Sequence, residues 1–244
     1  EISACLVGSE MCIRDSIYRI PKGTFFTEKH SYCPKCGQPL KWYDMVPVFS
    51  WIFLGGKCRN CKEKISARYP IVESLNAVLW TLSAYFIGLN ANAFIYDALF
   101  SALIVMTFID IDTKEIPNGI VVFIIILSIP LFFTAKDVVW WHRLVGAVVI
   151  SVPLYVIALV TGGIGGGDIK LYFALGLVLG LYPTLVSAFI AIVSAGLIGG
   201  ALLLTKKVKK GYELPLGPFI ALGAVVTVFA GTPIIDGIKN LFGI

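Results

Sequence analysis

The chain has 244 residues, of which 57% are hydrophobic and 14% are charged, and its mean hydropathy is +0.86. These values exclude an ordinary water-soluble domain. Apolar runs of about 18 or more residues are typical of membrane-spanning helices, because roughly 20 helical residues cross the hydrocarbon core. The net charge of +5 is unevenly placed, since ten of the 20 lysines and arginines lie between Arg19 and Arg68.

The first 16 residues, EISACLVGSEMCIRDS, are too polar for a membrane span and lack the basic start and the apolar run of a signal peptide. The stretch LVGSEMCIRDS is similar to translated sequencing-adapter sequence. It predicts a non-native segment that replaces a first span up to about Ser16. A disordered native tail is the alternative, and Cys5 and Cys12 are given no functional weight.

Seven apolar runs follow, and because they are continuous and not alternating they predict helices and not barrel strands. The predicted fold class is all-α, a polytopic membrane helical bundle with about seven spans and a small cytoplasmic zinc-binding loop domain. The predicted spans are 70–89, 93–111, 119–135, 144–161, 169–182, 184–205 and 215–235. We expect three regions, namely the segment 1–16, the loop domain 17–69 and the membrane domain 70–244.

Basic residues predict the orientation of the bundle, because short cytoplasmic loops collect lysine and arginine. The 17–69 region, the loops with Lys114 and Lys170, and the run at 206–210 then face the cytoplasm. The basic residues on the opposite side are Lys136 and Arg143. A basic patch can also bind nucleic acid, but orientation is the simpler interpretation in so apolar a chain, and no nucleic-acid partner is expected.

Two cysteine pairs lie in the loop domain, CPKCG at 33–37 and CRNCK at 58–62, with 21 residues between them. Four thiolates on two tight turns complete a tetrahedral shell that suits Zn²⁺. The predicted ligands of this structural zinc are Cys33, Cys36, Cys58 and Cys61. Two disulfides or four free thiols are the alternatives, and a reducing cytoplasm disfavours disulfides. Since no coordination position stays open, the metal is expected to organise the loop and to do no chemistry.

Two carboxylates flank predicted spans at one face of the membrane. Asp110 ends an apolar run within FIDIDTKEIPN, and Asp168 precedes another within TGGIGGGDIKL. An ionisable residue in such a place is a functional candidate. Two close carboxylates share a proton, so one can activate a water while the other donates to a carbonyl oxygen. The pair therefore predicts peptide-bond hydrolysis without a metal.

Other interpretations of these residues stay open. Asp110, Asp112 and Asp168 can be interfacial caps paired with Lys114 and Lys170. Paired aspartates can also serve a membrane transporter or channel as a proton or cation relay, although the spans are mostly aliphatic. A phosphate-binding loop is a weaker interpretation, because GGIGGGD lacks the Gly-Lys-Ser/Thr ending and a preceding strand. On a helix Asp112 points about 200° away from Asp110, so only one of them can face Asp168.

Several motifs, in order along the chain, resemble those of the bacterial type IV prepilin peptidases, which are membrane aspartyl proteases of the GxGD class. They are IYRIPKG at 17–23, the four-cysteine loop, ARYPIVESLNA at 67–77, FIDIDTKEIPN, GGGD at 165–168 and LPLGPFIALG at 214–223. The resemblance runs from about Ile17 to about Gly231 and implies eight spans in the intact protein. It places the catalytic pair on Asp110 and Asp168, because Pro117 follows Asp110 by seven residues as in the family.

The resemblance implies cleavage of a type IV prepilin or pseudopilin leader after a glycine, at the cytoplasmic face of the bacterial inner membrane. The substrate's apolar helix then lies in the lipid bilayer beside the enzyme, and glycines beside Asp168 let its backbone approach closely. Residues expected to support the motifs or the substrate are Gly165, Gly166, Gly167, Pro117, Asn118 and Lys170.

A second activity is also implied by the resemblance, namely N-methylation of the new amino terminus with S-adenosylmethionine. Glu73 is the candidate methyl-transfer residue, and its alternative role is a helix-end carboxylate paired with Arg68. The motifs specify neither an oligomeric state nor the pilin system that the protein serves.

Overall fold

The structure is a computed structural model that describes residues 16–17, 20–21, 35–38, 49–135, 138–163, 165–207 and 214–242. Within these residues the fold is all-helical, as the sequence predicts, apart from one isolated antiparallel bridge between Lys57 and Lys64. The chain divides into two compact units, Glu1–Tyr85 and Phe86–Ile244. The predicted region boundaries at residues 16 and 69 stay predictions.

Eight helices occupy the described part of the chain. They are α1 Phe49–Phe53, α2 Arg68–Phe86, α3 Ala91–Thr113, α4 Asn118–Thr134, α5 Trp140–Thr161, α6 Gly166–Leu179, α7 Leu181–Leu204 and α8 Gly217–Phe242. The last seven lie at the positions of the seven predicted spans. Continuous apolar runs therefore located the helices, and α3 begins after the N-cap residue Asn90, whose side chain accepts from the Ala93 N–H.

Four helices of the described chain are long and apolar enough to cross a membrane, namely α3, α5, α7 and the Gly217–Gly237 part of α8. α4 is a shorter apolar helix of 17 residues. α2 carries Arg68, Glu73 and Asn76 among its apolar side chains, which lowers its hydropathy. α6 has 14 residues and is therefore about 21 Å long, against about 30 Å for the hydrocarbon core. The seven predicted spans thus differ in their ability to cross a bilayer alone.

α6 is the central helix of the Phe86–Ile244 unit, because it packs against α4, α5, α7 and α8. Its side chains Leu171 and Leu175 are fully buried. α5 and α7 instead expose many large apolar side chains, such as Val160 and Phe189. An apolar outer surface of this kind suits contact with lipid.

α5 and α6 cross at close range through glycine. A Cβ atom on Gly176 would lie 2.3 Å from the carbonyl carbon of Gly146, and a Cβ atom on Gly146 would lie 2.7 Å from the carbonyl carbon of Gly180. Small residues at such crossings let the backbones of membrane helices approach each other. The crossing therefore fixes α6 relative to α5.

Arg143 is fully buried, although the sequence places it in a loop on the side opposite the cytoplasm, just before a predicted span. Its Nη1 donates to the carbonyl oxygens of Leu177 and Val178 in the last turn of α6. Its guanidinium carbon also lies 5.7 Å from the centre of the Phe132 ring. A cation at a helix C terminus satisfies carbonyl oxygens that have no partner within the helix. Arg143 therefore caps α6.

Candidate active site and candidate metal centre

Asp110 lies in the last turn of α3 and is buried, with 4% of its surface exposed. α3 ends at Thr113 because Lys114 adopts the left-handed conformation, with φ 56°, and its N–H donates to the Asp110 carbonyl oxygen at 2.8 Å. Asp112, two residues on, is exposed. The helix therefore turns Asp110 inward and Asp112 outward, as the angle of about 200° between them requires.

The start of α8 contacts the Asp110 side chain. The Gly217 N–H donates to Asp110 Oδ2 at 2.8 Å in a buried hydrogen bond. A Cβ atom on Gly217 would lie 2.6 Å from that oxygen and 2.8 Å from Met106 Sδ, so the position accepts only glycine without a shift of its neighbours. Gly217 has no role among the sequence predictions. The sequence signal that could have identified it is a glycine followed by a proline at the start of a predicted helix.

Asp168 lies in the first turn of α6, which begins at Gly166 after the N-cap residue Gly165. It is half-buried, and it lies close enough to Asp110 for the two negative charges to repel each other. The two carboxylates are 58 residues apart in the chain and belong to different helices. The fold therefore brings together the two aspartates that the sequence pairs.

Two contacts join the start of α4 to the start of α6. A Cβ atom on Gly167 would lie 2.9 Å from Ile116 Cβ, so glycine at this position lets the loop before α4 pack against α6. One turn further on, Lys170 Nζ donates to Asn118 Oδ1 at 3.0 Å. The interfacial-cap interpretation pairs the aspartates with Lys114 and Lys170, and the hydrogen bond of Lys170 goes to Asn118.

The three glycines before Asp168 have different surroundings. A Cβ atom on Gly165 would lie 3.1 Å from Asp168 Oδ2, while one on Gly166 would meet no described atom within 4 Å. Gly167 is explained by its contact with Ile116. The sequence predicts that these glycines leave room for a substrate backbone. Gly166 supports this best, because it has open space around it, and the role stays a prediction.

A groove of about 620 Å³ opens beside Asp168, between α4, α5 and α6. Its lining includes Ile169 and Lys170, which directly follow Asp168, and Asn118 at the start of α4. The rest of the lining is mostly aliphatic and aromatic. A mostly apolar concave surface with a few polar groups is the usual form of a binding site.

Three of the four predicted zinc ligands cluster in the Glu1–Tyr85 unit. The Sγ atoms of Cys36, Cys58 and Cys61 lie within 4.8 Å of one another, and all three are free thiols. Thiolates at about 2.3 Å from a tetrahedral ion lie about 3.8 Å apart, so the cluster can hold a metal after small side-chain movements. Cys33 lies outside the described residues.

Local hydrogen bonds shape the turn that carries the second cysteine pair. Lys62 adopts the left-handed conformation, with φ 59°, and its N–H donates to the Cys58 carbonyl oxygen at 3.0 Å. The Cys58 N–H in turn donates to the Glu63 carbonyl oxygen at 2.8 Å. An ion pair of 2.9 Å between Lys35 Nζ and Glu63 Oε2 joins this turn to the first cysteine pair. The two turns are thus held together by contacts of their own.

Glu73, the candidate methyl-transfer residue, lies in the second turn of α2 and is half-buried. Arg68, with which the alternative interpretation pairs it, begins the same helix and is exposed. Both residues belong to the Glu1–Tyr85 unit, as do the cysteines. The methyl-transfer role and the pairing with Arg68 both stay predictions.

Two protein-family models match the chain. The bacterial peptidase A24 N-terminal domain matches residues 2–87, and the type IV leader peptidase family matches residues 98–200. The first match includes the cysteines and Glu73, and it begins inside the segment 1–16, whose non-native origin stays a prediction. The second match includes both Asp110 and Asp168.

Three curated relatives share the name prepilin leader peptidase/N-methyltransferase. The protein of Bacillus subtilis is 34% identical over 220 residues, which are 89% of this chain and 88% of that protein. The protein of Stutzerimonas stutzeri is 32% identical over 212 residues, or 84% and 73% of the two chains. The protein of Neisseria gonorrhoeae is 34% identical over 198 residues, or 79% and 68%. No solved structure matches the chain.

Proposed function

The chain belongs to the type IV leader peptidase family, and on that premise we propose that Asp110 and Asp168 are the catalytic pair of this enzyme. It is an aspartic-type peptidase with N-methyltransferase activity, embedded in the membrane by several helices, and its substrates are prepilins. The observation that carries the assignment of the pair is the placement of the two carboxylates. Asp110 is buried at the end of α3 against Gly217, and Asp168 lies half-buried in the first turn of α6, where the charge of Asp110 acts on it.

Such a pair hydrolyses a peptide bond with one proton between its two carboxylates. The ionised carboxylate takes a proton from water as the water oxygen bonds to the carbonyl carbon. The protonated carboxyl gives its proton to the carbonyl oxygen, which leaves a neutral diol. The C–N bond then breaks as the nitrogen takes the proton held by the first carboxylate. The second carboxylate recovers a proton from the diol, so a carboxylic acid and an amine leave and the pair returns to its initial state.

The length of α6 supports a site below the membrane surface. α6 is about 9 Å shorter than a hydrocarbon core of about 30 Å, so a segment that crosses the core along α6 places an end of the helix, such as its first turn, below the membrane surface. Asp168 occupies that first turn. We assign the edge of the core nearest that turn to the cytoplasm, because Lys114 and Lys206 lie just beyond the ends of α3 and α7 on this side.

The groove beside Asp168 supports the binding of an apolar substrate segment in the bilayer. It opens between α4, α5 and α6, and its lining begins at Ile169, directly after Asp168. A prepilin or pseudopilin bound there has its apolar helix next to the enzyme and its leader on the cytoplasmic side. Ile169 and Lys170 line the groove and directly follow Asp168, so the bond to be cut reaches the catalytic pair at this end of the bound segment.

We also propose that the cysteine cluster holds one zinc ion, with Cys33 as the fourth ligand. The softness of thiolate ligands and the tetrahedral fit of two Cys-x2-Cys turns support zinc over harder cations. A metal with four protein ligands organises the loop. S-adenosylmethionine is the methyl donor for the second activity, and Glu73 is the candidate residue for methyl transfer.

The alternatives lose support. The comparisons give nothing in favour of a transporter or channel, since the matched family and the three relatives are all peptidases by name. In the interfacial-cap interpretation Lys114 and Lys170 pair with the three aspartates, and the hydrogen bond of Lys170 goes to Asn118.

Cleavage of a prepilin by the detergent-solubilised protein tests the catalytic pair. Asp110→Asn and Asp168→Asn should each reduce leader removal by about 10²–10⁴-fold or more, because each removes a group that transfers a proton. Asp112→Asn is the matched control, since it makes the same change on an exposed side chain two residues away, and it should cleave at the wild-type rate. Normal cleavage by either active-site variant would overturn the proposal.

A further inference from the structure

We infer that Gly217 is a positioning residue of the reaction, whose backbone N–H fixes the Asp110 carboxylate and reserves one of its oxygens for chemistry. The inference rests on the proposed catalytic role of Asp110. Its basis is the buried hydrogen bond of 2.8 Å from the Gly217 N–H to Asp110 Oδ2. The sequence separation of 107 residues means that α8 must dock on α3 for this bond to form.

The bond distinguishes the two oxygens of Asp110. A backbone N–H can only donate, so Oδ2 must act as the acceptor. An ionised oxygen is the stronger acceptor in such a bond. The proton that the pair shares is therefore held at Oδ1 of Asp110 or on Asp168, and Oδ1 is the oxygen left to contact the attacking water.

The position of Gly217 in α8 strengthens this bond. Gly217 is the first residue of the helix, so its N–H has no acceptor within the helix. The N-terminal end of a helix also carries partial positive charge and stabilises a nearby carboxylate. α8 thus presents a donor that does not move with any side-chain rotation, which a lysine or serine at this place would not do.

Only glycine allows the approach. A Cβ atom on residue 217 would lie 2.6 Å from Asp110 Oδ2, 3.0 Å from Asp110 Cγ and 2.8 Å from Met106 Sδ. Met106 is flexible and can move its sulfur aside. The carboxylate cannot move away and still keep the bond to the N–H. Addition of one methyl group therefore displaces one carboxylate of the catalytic pair, while the groove between α4, α5 and α6, which Gly217 does not line, is untouched.

Kinetics of Gly217→Ala test the inference. The value of kcat for prepilin cleavage should fall by about 10²-fold, the cost of a displacement of about 1 Å at a reacting group, while KM stays near its wild-type value. Gly196→Ala is the matched control, because a Cβ atom at that position on α7 meets no described atom within 4 Å, and it should leave both constants unchanged. A wild-type kcat for Gly217→Ala, or a raised KM at unchanged kcat, would overturn the inference.

A second variant distinguishes the contact of residue 217 with the Asp110 carboxylate from its packing against Met106. Met106→Ala removes the sulfur contact and leaves the clash with Asp110, so Gly217→Ala combined with Met106→Ala should stay as slow as Gly217→Ala alone. Recovery of the rate of Met106→Ala in the combined variant would mean that Gly217 only packs against Met106, and the inference would fail.

Thermal melting gives an answer even where the variant is unstable. Gly217→Ala should lower the melting temperature of the wild-type protein, but not that of Asp110→Ala, in which the carboxylate is absent. Equal shifts of the melting temperature in the two backgrounds would disprove the contact.

The Asp110→Asn variant is measured in the same cleavage assay to separate this inference from the proposed function. Normal cleavage by Asp110→Asn defeats the proposed function, whereas inactive Asp110→Asn with fully active Gly217→Ala defeats this inference alone.

Discussion

The α5–α6 crossing makes a prediction about the helix that carries Asp168. Gly176→Ala adds a Cβ atom that would lie 2.3 Å from the carbonyl carbon and oxygen of Gly146 and 2.4 Å from the Ala147 nitrogen. All three atoms belong to the backbone, so no side chain can rotate away. Ordinary contact begins at 3.4 Å. The two helices must therefore separate by about 1 Å, because the packed surroundings cannot compress to absorb the methyl group.

The size of the effect follows from this geometry. Overpacking of a well-packed core costs about 1–3 kcal/mol, and we expect about 3 kcal/mol because backbone lies on both sides of the contact. For a protein of this length the melting temperature then falls by about 6–12 °C. Gly176 and Asp168 lie on the same helix, so a shift of about 1 Å also misplaces the carboxylate and lowers the cleavage rate by about 10²-fold.

Thermal unfolding in detergent and prepilin cleavage measure the two consequences in the same samples. Gly200→Ala on α7 is the control, because its Cβ atom meets no described atom within 4 Å. It should melt at the wild-type temperature or slightly above it, since alanine favours a helix over glycine by about 1 kcal/mol. A Gly176→Ala protein that melts and cleaves like the wild type would refute the close crossing and the reasoning built on it.

Two further predictions concern the loop before α4 and the metal centre. Gly167→Ala should slow cleavage, because its Cβ atom would lie 2.9 Å from Ile116 Cβ. Ile116→Gly removes that Cβ atom and should restore part of the rate; a combined variant as slow as Gly167→Ala would contradict the contact. Elemental analysis of freshly purified, reduced protein should find about one zinc per chain. Cys58→Ser should lower that content and Cys12→Ser should not; absence of zinc from the unaltered protein would disprove the metal centre.

The sequence predicts the helices of this fold well, because a continuous apolar run is a local property of the chain. The seven apolar runs lie at the positions of α2 to α8, and the exposed side of Asp112 follows from the turn of the helix alone. The capacity to cross a membrane was less predictable. α6 is short because glycines occupy both of its cap positions. It begins at Gly166 after the N-cap residue Gly165 and ends at Leu179 before the C-cap residue Gly180.

The contacts between distant segments were not predictable, because a glycine in a sequence does not reveal which atoms approach it. Gly217 accommodates a carboxylate, Gly176 a neighbouring backbone and Gly167 the side chain of Ile116. The partners of the Arg143 charge were not predictable for the same reason. Its place in the chain indicates a loop, whereas its partners are the last carbonyl oxygens of α6, which only the packed structure brings near.

The central claim is that Asp110 and Asp168 act as one unit that shares a proton. Single-turnover cleavage of a prepilin by Asp110→Asn, Asp168→Asn and the double variant tests it most directly. Residues that act as a unit lose nearly all of their contribution when either is removed, so the account predicts three equal residual rates. A double variant that is slower than each single variant by the product of their separate losses, or a single variant that cleaves at the wild-type rate, would contradict it.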